Sequence, residues 1–221
     1  MSRRLLLSGL LLTSLLTAGC SAFTVSTSEG DSAPVKVGVG SKQGQTPSAA
    51  TPTVPPGMDE VAVDIGPTCP TSISVAIDDE WNQPIGYDGY RLYERKNGAL
   101  MTVNCYENDD VTPSDIVDEG TGTIFASSGS TLRSSSSGTL PGGEYMTFTG
   151  TIGAGDVRAI ESTESSIFGA VAGVQVEGRL FKITVEMVVK SDDQATADVF
   201  AQMLPTLQIG GAALTPPPTL S

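Results

Sequence analysis

Apolar and polar residues alternate along several short stretches of the chain. Ile73, Val75 and Ile77 alternate with Ser72, Ser74 and Ala76, and Trp81 follows. Met101, Val103 and Cys105 alternate with Thr102, Asn104 and Tyr106. Met146, Phe148 and Gly150 alternate with Tyr145, Thr147 and Thr149. The longest run places Phe181, Ile183, Val185, Met187 and Val189 against Lys182, Thr184 and Glu186. A period of two marks half-buried strands. Val174 and Val176 begin a strand that turns at Glu177-Gly178 into the Phe181 run, which predicts a hairpin. Two stretches have helical signals instead. Thr112, Pro113 and Asp115 combine a cap, a proline at the first position and an acid three after the cap. That helix would carry Ile116, Val117, Ile124 and Phe125, with Gly120 and Gly122 weakening it. Ser191 with Gln194 predicts a second capped helix, with Asp192 and Asp193 at its positive end. Val199, Phe200, Met203 and Leu207 form its apolar stripe, and Pro205 lies near its end. Strands, helix, paired strands and a last helix predict an α+β domain with an antiparallel sheet and about two helices packed on it.

The flanks follow a different pattern. Arg3 and Arg4 precede an apolar run from Leu5 to Leu16, too short for a membrane span and suited to a secretory signal. The pair of arginines also touches the twin-arginine export pattern, although so apolar a run suits the general secretory route. Leu16-Thr17-Ala18-Gly19-Cys20 resembles a bacterial lipobox, with Thr17 where leucine is commoner. That resemblance implies cleavage after residue 19 and acylation of Cys20, so 1–19 is a lipoprotein signal peptide. Two acyl groups suffice for a stable anchor. Residues 20–57 are rich in Ser, Thr, Gly, Pro and Ala and predict a lipid-anchored flexible linker. Thr46-Pro47 and Thr51-Pro52-Thr53 suit either O-glycosylation or a bare spacer. Residues 58–210 form the extracytoplasmic α+β domain, and 211–221, with Pro216-Pro217-Pro218, read as a disordered tail.

Composition then narrows the chemistry. The chain of 221 residues has no histidine. This removes the usual base of serine and cysteine hydrolases and the commonest catalytic zinc ligand. A formal charge of −13 argues against a nucleic-acid partner. With Cys20 acylated, Cys69 and Cys105 remain as an even pair outside the cytoplasm, which reads as one disulfide. There is no Cys-x-x-Cys redox motif. Asp78-Asp79-Glu80 and Glu107-Asn108-Asp109-Asp110 lack the spacing of a calcium loop and read as solvated turns and capping charge. Gly153-Ala154-Gly155-Asp156 lacks a phosphate-loop lysine. Ser134–Ser137 reads as a loop or a weak edge strand. No metal, cofactor or catalytic residue is expected. Trp81, Tyr87, Tyr90 and Tyr93 form the most aromatic stretch and are the candidate binding surface. The alternative for them is a lid over the sheet, which suits Trp81 best.

Several of these pieces, in this order, resemble actinobacterial lipoproteins of the LpqN/LpqT type, with their Mog1/PsbP-like α+β domain. The residues are Ile73-Ser74-Val75-Ala76-Ile77-Asp78-Asp79-Glu80-Trp81, then Met101-Thr102-Val103-Asn104 with Thr112-Pro113-Ser114-Asp115. Gly142-Gly143-Glu144-Tyr145, the strands through Gly178-Arg179-Leu180-Phe181 and the helix ending at Leu207 complete the set. The cysteine pair and the 153–170 stretch are additions to that pattern. The resemblance implies a non-catalytic envelope protein, anchored in the cell membrane through Cys20, that binds or assists other envelope proteins or lipids. Two other functions compete. A carrier of a hydrophobic small molecule or lipid requires an apolar cavity between sheet and helix. A carboxylate-dependent hydrolase requires two facing acids with separated pKa values.

Overall fold

The computed structural model describes residues 52–108 and 111–218. The signal peptide, Cys20, the linker up to residue 51, Asp109 and Asp110 lie outside them.

Seven antiparallel strands form the main sheet. They are β3 (Ile85–Tyr87), β4 (Tyr90–Glu94), β5 (Leu100–Glu107), β6 (Thr131–Leu140), β7 (Gly143–Ile152), β8 (Ser165–Val176) and β9 (Arg179–Lys190). Their order is β3-β4-β5-β9-β8-β7-β6. A second antiparallel sheet has the order β1-β2-β10-β11. It is built from β1 (Asp59–Ala62), β2 (Ile73–Ile77), β10 (Gln208–Ile209) and β11 (Ala212–Ala213). Two helices complete the domain, α1 (Pro113–Ile124) and α2 (Gln194–Met203). The α+β class expected from the alternation is the one observed.

The two faces of the main sheet are covered differently. Register places Met101 opposite Met187, Val103 opposite Val185 and Cys105 opposite Ile183. These side chains are fully buried beneath Phe200 and Met203 of α2 and Ile73 and Val75 of β2. The opposite face carries Phe148, Ile167, Val171 and Val188, packed with Ile116 and Ile124 of α1. Complete burial of side chains such as Ile116 and Ile124 contributes about 1.5–3 kcal/mol each.

Helix α1 begins as its residues dictate. The Thr112 hydroxyl accepts from the Asp115 N–H, and the Asp115 carboxylate accepts from the Thr112 N–H at 2.9 Å. Its glycines do not break it: Gly120 lets it lie close to the sheet, while Gly122 meets open space. A methyl on Gly120 would stand 2.7 Å from Val171 Cγ1, and one on Gly173 would stand 2.7 Å from Pro113 Cα. The packing gained outweighs glycine's low helix propensity, a penalty of about 1 kcal/mol.

Three expectations change. The cap of α2 is Asp193, whose carboxylate accepts from Thr196 N–H at 3.1 Å and Thr196 Oγ1 at 2.8 Å. Ser191 is instead taken up in the turn that leaves β9, and Leu207 packs beyond the helix end. The strand before the Glu177-Gly178 turn starts at Ser165, far upstream of Val174. Both of its faces are covered, so no alternation marks it. The tail is ordered as far as Pro218. Ala212–Ala213 pair with β10, Leu214 is only 3% exposed, and Thr215 N–H donates to the Tyr145 hydroxyl at 2.9 Å. The sheet face under residues 214–218 needs a cover, and this segment supplies it. Ser134–Ser137 are part of β6, the edge strand of the main sheet. Among the described residues no helix is long and apolar enough to cross a membrane.

Candidate functional site

Helix α1 covers only the β7–β9 part of its face. No described residue covers the β3–β5 part, and aromatic residues collect there. Asp88-Gly89 turns β3 into β4, with Gly89 at φ 84°. Register then sets Tyr87 opposite Tyr90 and Ile85 opposite Leu92. Opposite residues of an antiparallel pair share a face, so the four form one surface. The Tyr87 and Tyr90 rings stack with centroids 5.2 Å apart and planes at 27°. Ile85 is 66% exposed, Tyr87 70% and Tyr106, on β5, 47%.

The sequence-selected aromatics therefore divide. Tyr87 and Tyr90 lie on this open shelf. Trp81 and Tyr93 belong to the core on the other side of the sheet, which corrects their place in the candidate surface. Trp81 stacks on Phe200 at 5.8 Å and meets Tyr93 edge-on at 6.4 Å. Successive residues of a strand point to opposite faces, so Tyr90 and Leu92 point one way and Arg91 and Tyr93 the other. Ile85 and Tyr106 join the shelf without having been singled out. The Asp-Gly pair between Tyr87 and Tyr90 is the signal that would have placed Ile85 there.

Two shallow cavities open beside the shelf. One, of about 330 Å³, is lined by Tyr87, Tyr90, Asn104 and Tyr106 and walled by Thr68 and Arg179. The second, of about 240 Å³, shares Asn104 and Tyr106 and continues to Ile124, Lys182, Thr184 and Glu186. The Cys69–Cys105 disulfide ties the segment around Thr68 to β5 and so holds the first wall in place. Thr68 also donates from its hydroxyl to Asp88 at 3.0 Å.

The floor of the second cavity is charged. Arg158 Nε donates to Glu186 Oε2 at 3.0 Å, and Arg158 Nη1 lies 3.4 Å from Asp156 Oδ1. Burial pushes the Glu186 carboxyl up, against the pull of Arg158. Burial acts upward on Asp156 as well, but hydrogen bonds from Ser127 and Arg158 outweigh it and leave Asp156 below the usual range. Burial likewise raises the Tyr90 phenol. Lys182 Nζ sits 5.9 Å from the Tyr106 ring centroid, a cation–π arrangement. Two carboxylates with opposed shifts thus exist, the pattern an acid–base pair requires. Only Glu186 lines the cavity. Asp156 is buried beneath the loop, where it accepts the Arg158 N–H at 2.8 Å and fixes a turn. Sequence reasoning missed all three residues, because Glu186 alternates with the core positions of β9 and reads as a solvated polar face.

Three described acids of the two acidic runs are engaged by cations. Asp78 pairs with Arg95, Glu80 with Lys96 at 3.3 Å, and Glu107 with Arg179. No described group of three potential ligands gathers in a way that would hold a metal.

No protein-family profile and no curated protein matches the chain. Solved structures do. LpqN of Mycobacterium tuberculosis, described as involved in cell envelope biogenesis, is 14% identical with a TM-score of 0.48. The match covers 69% of this chain and 91% of LpqN. The Ran-binding protein Mog1p of Saccharomyces cerevisiae is 12% identical with a TM-score of 0.41, over 67% of this chain and 85% of Mog1p. A protein of Bacteroides thetaiotaomicron is 10% identical with a TM-score of 0.37, over 65% of this chain and 45% of its own. The two named neighbours bear the names of the fold type that the sequence resembles. With every score under 0.5, no role is transferred from them.

Proposed function

We propose that this chain is a lipid-anchored envelope protein that works by binding, without catalysis, and that an envelope protein docks on the aromatic shelf of β3–β5. The observation that carries the reading is the same-face cluster of exposed Ile85, Tyr87 and Tyr106 with half-buried Tyr90, on a part of the sheet that no described residue covers. Large exposed apolar groups gathered on one face mark interaction sites, and tyrosines are preferred anchors. The signal-like N-terminus and the lipobox-like Cys20 supply the envelope location and the anchor. The non-catalytic part of the reading rests on the carboxylates: of Glu186 and Asp156, one faces the cavity and the other is committed to a turn.

The test is site-specific photo-cross-linking in the native envelope. A photoreactive residue at position 87 or 106 is expected to give the same discrete protein adduct. A residue at Gln202, exposed on α2, is expected to give none. Adducts from all three positions, or from none, would refute a docking role for the shelf. Tyr87→Ala is expected to abolish the adduct formed from position 106 without changing the unfolding midpoint.

A further inference from the structure

A second groove lies on the opposite face of the main sheet, between α2 and the C-terminal segment. Its volume is about 330 Å³. Phe168 forms the floor, Ala197, Ala201 and Leu204 one wall, and Pro216–Pro218 the other. The proline wall is tied down at three points. Thr215 N–H donates to the Tyr145 hydroxyl at 2.9 Å, Thr147 Oγ1 donates to Thr215 O at 2.6 Å, and Ser134 Oγ donates to Pro218 O at 3.0 Å.

A cation stands at the edge of this groove. Arg133 lines it, and Arg133 is the extra residue of a bulge in β6, where Leu132 pairs with Gly150 and Ser134 already pairs with Thr149. Bulges re-aim side chains. Here the bulge lets two successive residues serve one face, Ser134 reaching Pro218 and Arg133 reaching the groove. Arg91, Arg95, Lys96, Arg158, Arg179 and Lys190 are held in ion pairs. Arg133 is in none of the ion pairs formed among the described residues. The acid in the lining, Asp198, accepts from Gln194 at 2.7 Å. One further group lies nearby. Thr151, on the same face as Thr149 and opposite Ser166, has a buried hydroxyl with no partner among the described residues.

We propose that this groove binds a single-chain anionic amphiphile, with the acyl chain along Phe168, Ala201 and Leu204 and the acidic head on Arg133. The walls select the chain. Three prolines offer no N–H donors, and the α2 backbone is satisfied within its helix, so the carbonyls of a peptide laid here would find no backbone donor. An acyl chain has no such groups. The head is selected by charge, because a guanidinium takes a carboxylate or phosphate through two parallel hydrogen bonds. Small side chains at Ala197 and Ala201, one helical turn apart, keep the groove open. This site is separate from the aromatic shelf and stands or falls independently of it.

Calorimetric titration of the full chain with hexadecanoate and with hexadecanol, both below their aggregation thresholds, tests the proposal. One-to-one saturable binding of hexadecanoate is expected, about tenfold tighter than that of hexadecanol. Arg133→Gln is expected to abolish that preference and leave hexadecanol binding unchanged. Ala201→Trp fills the groove from an exposed helix position and is expected to remove binding of both. Tyr87→Ala is expected to change neither. Hexadecyl phosphate against hexadecanoate then separates a phosphate head from a carboxylate head as the preferred anion. Absence of saturable binding, binding unchanged by Ala201→Trp, or a hexadecanoate preference that survives Arg133→Gln would each overturn the proposal. Arg133 is exposed on an edge strand, so that variant reads out even if Ala201→Trp perturbs the fold.

Discussion

Replacing Arg158 by Met is the most informative single perturbation of the charged cavity floor. Arg158 is the cation between Glu186 and Asp156, at 3.0 Å and 3.4 Å, with side-chain exposures of 25% for Arg158, 12% for Glu186 and 2% for Asp156. Removing one member of a buried ion pair costs about 3–5 kcal/mol, because the other charge stays desolvated. Arg158 keeps a quarter of its surface in water, so the expected loss at pH 8 is about 2–3 kcal/mol. The pH dependence identifies the cause. Burial already raises the Glu186 carboxyl above its ordinary 4.5, and losing Arg158 raises it further. The folded state then binds more protons than the unfolded state between the ordinary glutamate value and the folded one. Stability linked to that proton is therefore fully present below about pH 4.5 and is lost as pH rises through the folded value. The Asp156 shift, downward from 3.8, acts below this window. Urea unfolding of the wild type and Arg158→Met at intervals from pH 4 to pH 8 measures the difference. It should be smaller at pH 4, where the Glu186 part has gone and the lost Asp156 contact and stem packing remain. The double variant Arg158→Met, Glu186→Gln should recover part of the loss at pH 8, the part due to an unpaired Glu186. A loss of equal size at pH 4 and pH 8 would show that Glu186 does not carry the charge assigned to it, leaving Arg158 to act through Asp156 and packing.

Replacing Cys69 and Cys105 by Ala opens a link across 36 positions, for which the chain-entropy account gives about 3.8 kcal/mol, and non-reducing urea unfolding should show a loss of that order. Gly173→Val drives a side chain into Pro113 and should cost about 1–3 kcal/mol by the same assay, whereas Gly155→Ala, with nothing within 4 Å, should change it by less than about 0.5 kcal/mol. Leu214→Ala tests the packed tail. A residue 3% exposed should cost about 2–3 kcal/mol and make cleavage between Leu214 and Pro218 faster in limited proteolysis, while an unchanged midpoint and cleavage rate would mean that the segment is not docked.

Local chemistry was enough to define much of the fold. The period of two in 73–77, 101–107 and 181–189 marks strands that bury one set of side chains. Thr112, Pro113 and Asp115 start α1 through bonds made within four residues. The Glu177-Gly178 turn joins β8 to β9 as its residues require, with φ of 52° and 79°. The pairing of Cys69 with Cys105 followed from number and compartment alone. Elsewhere a distant contact decided. Strand β8 is covered on both faces and so shows no alternation. The tail contains three prolines and resembles a spacer, yet Tyr145, Thr147 and Ser134 hold it against the sheet. Tyr90 and Tyr93 are equivalent in composition, and only the strand register sends one to the shelf and the other to the core. Glu186 reads as a solvated residue until the 153–164 loop folds over it and brings Arg158. Short-range hydrogen bonding and side-chain periodicity act within a few residues and are written in the chain order. Which face is covered, by what, and which charge is left without a partner among the described residues depend on residues as distant as Ser134 and Pro218, 84 positions apart, and those contacts exist only once the sheet has closed.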